Sequence, residues 1–177
     1  MRGRRYRRRM LIRPVTPAEH DELGRITLAA YREIDGHEPS EYYSAKLLDV
    51  ESRARDSLVL VAVEDGELLG GVTYVGDADS PFAEFGDPDE SCFRMLAVRP
   101  DSQGHGAGAA LVQACIERAR DDGKRALTLY STPAMTAAHR LYERFGFRRE
   151  EARDMIVESG MQLRSFVLVL KPEEVVR

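Results

Sequence analysis

Apolar and polar positions change period several times along the chain, and each change marks an element. Residues 10–16 alternate like a short half-buried strand. Thr16, Pro17 and Glu19 then supply an N-cap, a first-turn proline and a capping-box acid. Leu23, Ile26, Ala30 and Ile34 follow at helical spacing, until Gly36 to Pro39 break the pattern. Ser40 caps a predicted second helix with Tyr43, Leu47, Val50 and Ala54 on one face. Residues 57–64, SLVLVAVE, read as a buried strand from their β-branched content. Asp65-Gly66 is a hairpin signal, and residues 67–76 return as the partner strand, with Gly70-Gly71 suggesting a bulge. Residues 76–90 are acidic, turn-rich and long for a hairpin connection, which is more often a property of functional loops.

The strand SCFRMLAV, residues 91–98, leads into a turn with three alternate glycines, Gly104, Gly106 and Gly108. A helix over residues 106–122 follows, closed by Gly123, and then the strand RALTLYS, residues 125–131. Thr132-Pro133 reads as N-cap and first helical position of a helix whose apolar face carries Ala134, Ala137, Ala138, Leu141, Tyr142 and Phe145. Gly146 ends that helix, and FGFRREE and RSFVLVLK read as two closing strands. The predicted order is β-α-α-β-β-β-α-β-α-β-β, a single domain over residues 10–171. Residues 1–9 read as a disordered basic arm, or as an over-long start whose true first residue is Met10.

Charge refines this picture. Six of the 26 basic groups lie in the arm, so the body carries more acid than the net charge of −4 suggests. An acidic body disfavours nucleic acid as a partner and suits a cationic substrate. No apolar run approaches membrane-spanning length. Cys92 and Cys115 form no CxxC or Cys/His cluster, which points to two reduced core thiols and a cytoplasmic protein without a metal site.

Alternate glycines ahead of a helix leave backbone N–H groups bare of side chains at the positive end of the helix dipole. A pyrophosphate can rest against such a row. A P-loop needs Gly-Lys-Ser/Thr after its glycines, but Gly108 is followed by Ala109-Ala110. A dinucleotide fingerprint is matched by Gly104-x-Gly106-x-x-Ala109, yet the next strand ends LTLYS without the ribose-binding acid.

A third reading uses more residues. The stretch LAVRPDSQGHGAGAALV fits the Q/R-x-x-G-x-G/A signature at Gln103, Gly106 and Gly108. One helix and one strand later, AAHRLYERFGF fits a second marker, a helix with Leu-Tyr that ends in Gly-Phe. On these two motifs and their separation the chain resembles the GNAT superfamily of acyl-CoA-dependent N-acyltransferases. The resemblance implies an α/β (mixed α+β) fold, a central mixed, mostly antiparallel sheet flanked by helices. It implies N-acetyl transfer from acetyl-CoA to a primary amine of a small molecule or protein.

The same resemblance implies site residues. Leu96, Ala97 and Val98 on the strand, and Gln103, Gly104, His105, Gly106, Ala107, Gly108 and Ala109 in the turn, would hold acetyl-CoA. Ala138 would let the pantetheine arm pass. The strand ending at Val98 and the one starting near Ala126 would splay apart to admit that arm. Leu96 would offer its N–H to the oxyanion. Tyr142, on the apolar helix face, would act as general acid toward the leaving thiolate, since a phenol near pKa 10 is a fitting donor. The general base stays open between Glu90, Glu84 and capture of free amine from solution. Ser131 and Thr132 end a strand beside the cleft, and Tyr31, Tyr42, Tyr43, Phe82 and Phe85 border the acceptor side. The expected partners are acetyl-CoA and an amine, without nucleic acid or membrane, and a homodimer stays open. The competing class is a non-catalytic acyl-CoA-binding regulatory domain, which would release no thiol with any amine.

Overall fold

The computed structural model describes residues 10–34 and 38–170, so the basic arm and residue 171 lie outside the described residues. In chain order the elements are β1 (Met10–Pro14), α1 (His20–Arg32), α2 (Glu41–Leu48), α3 (Val50–Asp56), β2 (Leu58–Glu64), β3 (Glu67–Val75), β4 (Glu90–Val98), α4 (Ala107–Asp121), β5 (Ala126–Ser131), α5 (Thr136–Arg144), β6 (Arg148–Arg149), β7 (Met155–Ile156) and β8 (Gln162–Val169). The sheet runs β1-β2-β3-β4-β5-β8-β6, with β7 paired to β8. Only β4 and β5 pair in parallel; the other pairs are antiparallel.

Alternation along β2 explains why helices cover both faces. Leu60 and Ala62 pack into a core with α4, where Leu111, Val112, Cys115 and Ile116 meet Phe93, Leu127 and Phe166. Val59 and Val61 turn the other way, to Leu23 and Ile26 of α1 and Val50 of α3. The two cysteines are free and buried, in line with the thiol reading.

Four sequence expectations need correction. The predicted single helix from Ser40 breaks at Asp49, whose backbone leaves helical geometry (φ −81°, ψ 72°) while its carboxylate accepts from the Ser52 N–H. An aspartate that offers the backbone a local partner ends one helix and caps the next. The helix expected from Pro133 starts instead at Thr136: Thr132 to Met135 form a turn closed by the Met135 N–H on the Thr132 carbonyl, 3.2 Å. The FGFRREE strand shrinks to the two residues of β6, and β7 appears as a separate short strand.

The expected bulge at Gly70-Gly71 is shifted. Ala62 faces Gly70 and Val63 faces Leu68, so Leu69 is the extra residue. Gly70 serves a different purpose: a Cβ there would collide with the Ala97 carbonyl oxygen of the neighbouring strand. A second bulge lies in β4 itself. Gly71 faces Ala97 and Thr73 faces Arg94, so Met95 and Leu96 together stand opposite Val72. Met95 sits at φ 53°, a left-handed conformation that costs a non-glycine residue about 1–2 kcal/mol.

Candidate active site

The β4–β5 ladder is short. Glu90, Ser91 and Cys92 pair with Ala126, Leu127 and Thr128, and pairing stops there. Beyond Cys92 the strands part, and the bulge at Met95–Leu96 re-aims the backbone of β4 in the opening. The result is a cleft of about 630 Å³ whose walls are β4 from Phe93 to Val98, the glycine turn, the end of β5, α5 and the last turn of α1.

The glycine turn supplies one wall. Gly104 and Gly106 adopt φ 82° and 89°, so the glycines satisfy backbone geometry before any ligand is considered. α4 makes its first bond from the Ala110 N–H to the Gly106 carbonyl, 3.0 Å. Among the described residues, no hydrogen bond takes the backbone N–H of any residue from Gln103 to Ala109. Unpaired amides in succession at a helix start form an anion-binding concavity. Gly108 differs from its neighbours. It has no left-handed backbone, and a Cβ there would only touch Leu141 at 3.6 Å and Val98 at 3.8 Å. Its missing side chain keeps the cradle floor low.

Tyr142 stands across the cleft. It is buried, and its ring packs edge-on against Phe93, centroids 5.8 Å apart, and beside Phe147 and Phe166 at 6.0 and 5.9 Å. These contacts fix the ring. The hydroxyl makes no hydrogen bond among the described residues, yet the side chain lines the cleft. Burial pushes the phenol pKa well above its ordinary value, so it stays protonated at every physiological pH.

Of the residues named from the sequence, the cleft brings together Leu96, Ala97, Val98, Gln103, Gly104, Gly106, Ala107, Gly108, Ala109, Ala138 and Tyr142. His105 is exposed and does not line it. Glu90 does not line it either, which tells against it as the general base. Glu90 is buried at the opposite end of β4, with one oxygen accepting from Arg125 (2.8 Å) and both from Arg153 (2.9 and 3.0 Å). Two guanidinium groups occupy both of its oxygens, so it braces the sheet rather than receiving a proton from an amine. Glu84 lines the same neighbouring hollow of about 510 Å³ as Glu90, 3.3 Å from Arg94. Burial raises the Glu84 pKa. Ser131 is buried, with its hydroxyl 3.0 Å from His139 Nε2, so it ties β5 to α5.

Several lining residues escaped sequence reading as site residues. Glu33 and Ile34 reach the cleft from the end of α1, and Arg94 enters it from β4. Arg94 had a signal: it is the one charge inside the apolar run SCFRMLAV. Met95 had none, because a left-handed methionine depends on tertiary pairing and not on local propensity.

The chain is similar to known proteins in sequence and in fold. The profile of the acetyltransferase (GNAT) family matches residues 21–147. Mycothiol acetyltransferase of Cellulomonas flavigena is 31% identical over 148 residues, which are 78% of this chain and 40% of that protein. An L-methionine sulfoximine/L-methionine sulfone acetyltransferase of Pseudomonas aeruginosa is 36% identical over 100 residues, 55% of each chain. The chain thus spans well under two thirds of the curated relatives it matches. A GNAT family acetyltransferase of Brucella melitensis, solved in complex with acetyl-CoA, is 25% identical with a TM-score of 0.62, over 93% of this chain and 90% of that one. For yncA of Salmonella typhimurium, solved with its cofactor acetyl-CoA, the TM-score is 0.69 at 23% identity, over 93% and 96% of the chains, a likeness of fold. With the family profile running from α1 through the glycine turn to the Gly-Phe that ends α5, the chain belongs to the acetyltransferase (GNAT) family.

Proposed function

We propose that this chain transfers an acetyl group from acetyl-CoA to an amine, in the cleft between β4 and β5. The observation that carries the proposal is the pairing of two unsatisfied features across one opening. On one side is the row of free amides from Gln103 to Ala109, and on the other the free hydroxyl of Tyr142. Two relatives named above are a mycothiol acetyltransferase and an L-methionine sulfoximine/L-methionine sulfone acetyltransferase, which supports the same class of reaction. Two free thiols suit a reducing compartment, which the proposal takes to be the cytoplasm.

The residues fit the donor. The free amides suit a pyrophosphate, and the glycine at 108 leaves the floor clear for it. Ala137 and Ala138 are small beside the opening, so a narrow pantetheine chain passes. Acetyl-CoA supplies an activated thioester carbonyl. Leu96, in the bulge where β4 has lost its β5 partner, offers its N–H to the carbonyl oxygen as negative charge builds there.

Tyr142 gives its phenolic proton to the departing sulfur. A phenol held above its usual pKa looks too weak an acid for a thiol near 8.5. The same interior acts on sulfur, however: burial, the largest cause, pushes the Cys92 thiol up to about 12. A thiolate released in the cleft is raised in the same direction, so the phenol remains a usable donor to it. The attacking amine needs its lone pair, and an alkylamine has a pKa of about 10.4 in water. With both oxygens of Glu90 held by arginines, the amine enters as the free base and gives its proton to water.

The test is amine-dependent thiol release from acetyl-CoA over a panel of primary amines. Release that rises with amine and is absent without it is expected. No release with any amine, from a protein that binds acetyl-CoA, would instead support the regulatory-domain class.

A further inference from the structure

One buried and one half-buried guanidinium group flank Thr73. Thr73 of β3 is fully buried and stands directly opposite Arg94 of β4. Arg53 of α3, 1% exposed, donates from Nη1 to the Thr73 hydroxyl at 3.1 Å and from Nη2 to the Leu47 carbonyl at 2.9 Å. Its Nε has no partner, and no carboxylate lies within salt-bridge reach of it among the described residues. Arg94 lines the cleft. Its Nη1 takes both of its contacts, the Phe82 carbonyl at 3.2 Å and the Glu84 carboxylate at 3.3 Å. Its enclosed Nε has no partner, and Nη2 makes no hydrogen bond among the described residues.

Charge counting sharpens the point. Glu84 is the one carboxylate within salt-bridge reach of Arg94 and none is within reach of Arg53, so among the described residues the two cations have a single direct counter-ion between them. A buried guanidinium without a counter-ion is costly, and a structural role for Arg53 in holding Thr73 and Leu47 does not remove that cost. Burial lowers the Arg53 pKa to about 10, the direction expected for a cation short of partners. On Arg94 the Nε is enclosed, which leaves Nη2 as the unused donor of a guanidinium that lines the cleft, and a carboxylate oxygen is a fitting partner for it.

We infer that the acceptor is an amine that also carries a carboxylate, and that Arg94 reads this group with Arg53 behind it. The inference rests on the acetyl-transfer reading of the cleft and names its substrate class. A single carboxylate supplies the missing charge, whereas a phosphate dianion exceeds it. Scale agrees as well. Arg94 and Leu96 lie two residues apart on the same strand, on either side of the Met95 bulge, so anion and amine belong to one small molecule of amino-acid size. Tyr31, which lines the cleft and packs on Tyr43 with centroids 6.0 Å apart, gives such a molecule an apolar wall.

Calorimetric titration of the protein saturated with CoA tests this without turnover. The probes are L-leucine, L-methionine and L-phenylalanine, each against its own carboxamide. The amide is the less basic amine, so basicity alone would favour it. At least one amino acid should bind about tenfold or more tighter than its amide, the scale of a lost charged hydrogen bond. Arg94→Gln should abolish the difference, and Arg94→Lys should restore only part of it, because an ammonium lacks the fork. Equal affinity of acid and amide in all pairs would overturn the inference, with or without a folded variant. So would an Arg94→Gln protein that still binds CoA and still prefers the acid. An amino acid that binds by its carboxylate yet is never acetylated would uphold this inference and sink the transferase reading. Amines acetylated with no carboxylate preference would do the reverse.

Discussion

At the scale of single residues the chemistry rests on groups that the fold leaves unsatisfied. Tyr142 makes its aromatic contacts through the ring and none through the hydroxyl, so the two roles separate cleanly. Tyr142→Phe keeps the packing and breaks no internal hydrogen bond. Its stability in denaturant should stay within about 0.5 kcal/mol of the parent, and acetyl-CoA affinity should hold. Turnover should fall roughly 10²-fold, the cost of a lost general acid. The glycines divide in a similar way. Gly106→Val forces a branched residue into φ 89° and should destabilise the protein with or without ligand. Gly108→Val meets only Leu141 and Val98 at ordinary contact distance. Its melting temperature should barely move while acetyl-CoA binding weakens at least ~10-fold, because the side chain fills the place where phosphate meets backbone. The glycine spacing was legible in the sequence because a left-handed turn leaves that trace. Met95 left none, and Glu90 misled, because its position two residues before Cys92 says nothing of the arginines that reach it from just before β5 and from the segment after β6.

At the scale of elements, what was legible followed from local periodicity. β2, β3, β4, α4 and β5 lie close to their expected bounds, since each carries its own repeat of buried positions. The parts that were not legible are of two kinds: the split at Asp49 and the late start of α5 turn on local hydrogen bonds that periodicity does not register, and the displaced bulge depends on a partner strand. The β6–β8 corner shows such a partner at work. Arg149 grips Asp154 with two bonds, 2.8 and 2.7 Å, and Asp154 also accepts from the Ser165 N–H at 2.8 Å. The Arg149 guanidinium and the Ser165 N–H hold the Asp154 pKa down to about 2. A carboxylate depressed in the folded state contributes stability that is fully present above its unfolded pKa, near 3.9, and is lost as pH falls toward about 2. Glu19, bonded to Arg13 and also held at about 2, acts in the same window. The melting temperature should therefore drop between pH 4.5 and pH 2, windows set by those values. Asp154→Asn should melt lower than the parent at neutral pH and flatten that acid slope. An equal slope in parent and variant would show that the pair adds no stability.

At the scale of the whole molecule, an acidic body surrounds a cleft that gathers positive potential at two places. Backbone amides and the start of α4 supply it on the donor side, and Arg94 with Arg53 supplies it on the acceptor side. Net charge describes the surface and not the site, so an acidic body and a locally positive cleft are compatible. Binding should register globally. Acetyl-CoA at a hundredfold excess over its dissociation constant should stabilise the fold by about 2.7 kcal/mol, and NAD or ATP at equal concentration by far less. The most direct measurement follows the acetyl group itself. The protein is incubated with acetyl-CoA labelled in the acetyl carbon and a mixture of amines, and the products are read by mass spectrometry. Label should appear in an amide in step with free CoA thiol, and Tyr142→Phe should slow both alike. Thiol released without a labelled amide, or no label transferred to any amine by a protein that binds acetyl-CoA, would contradict acetyl transfer in this cleft.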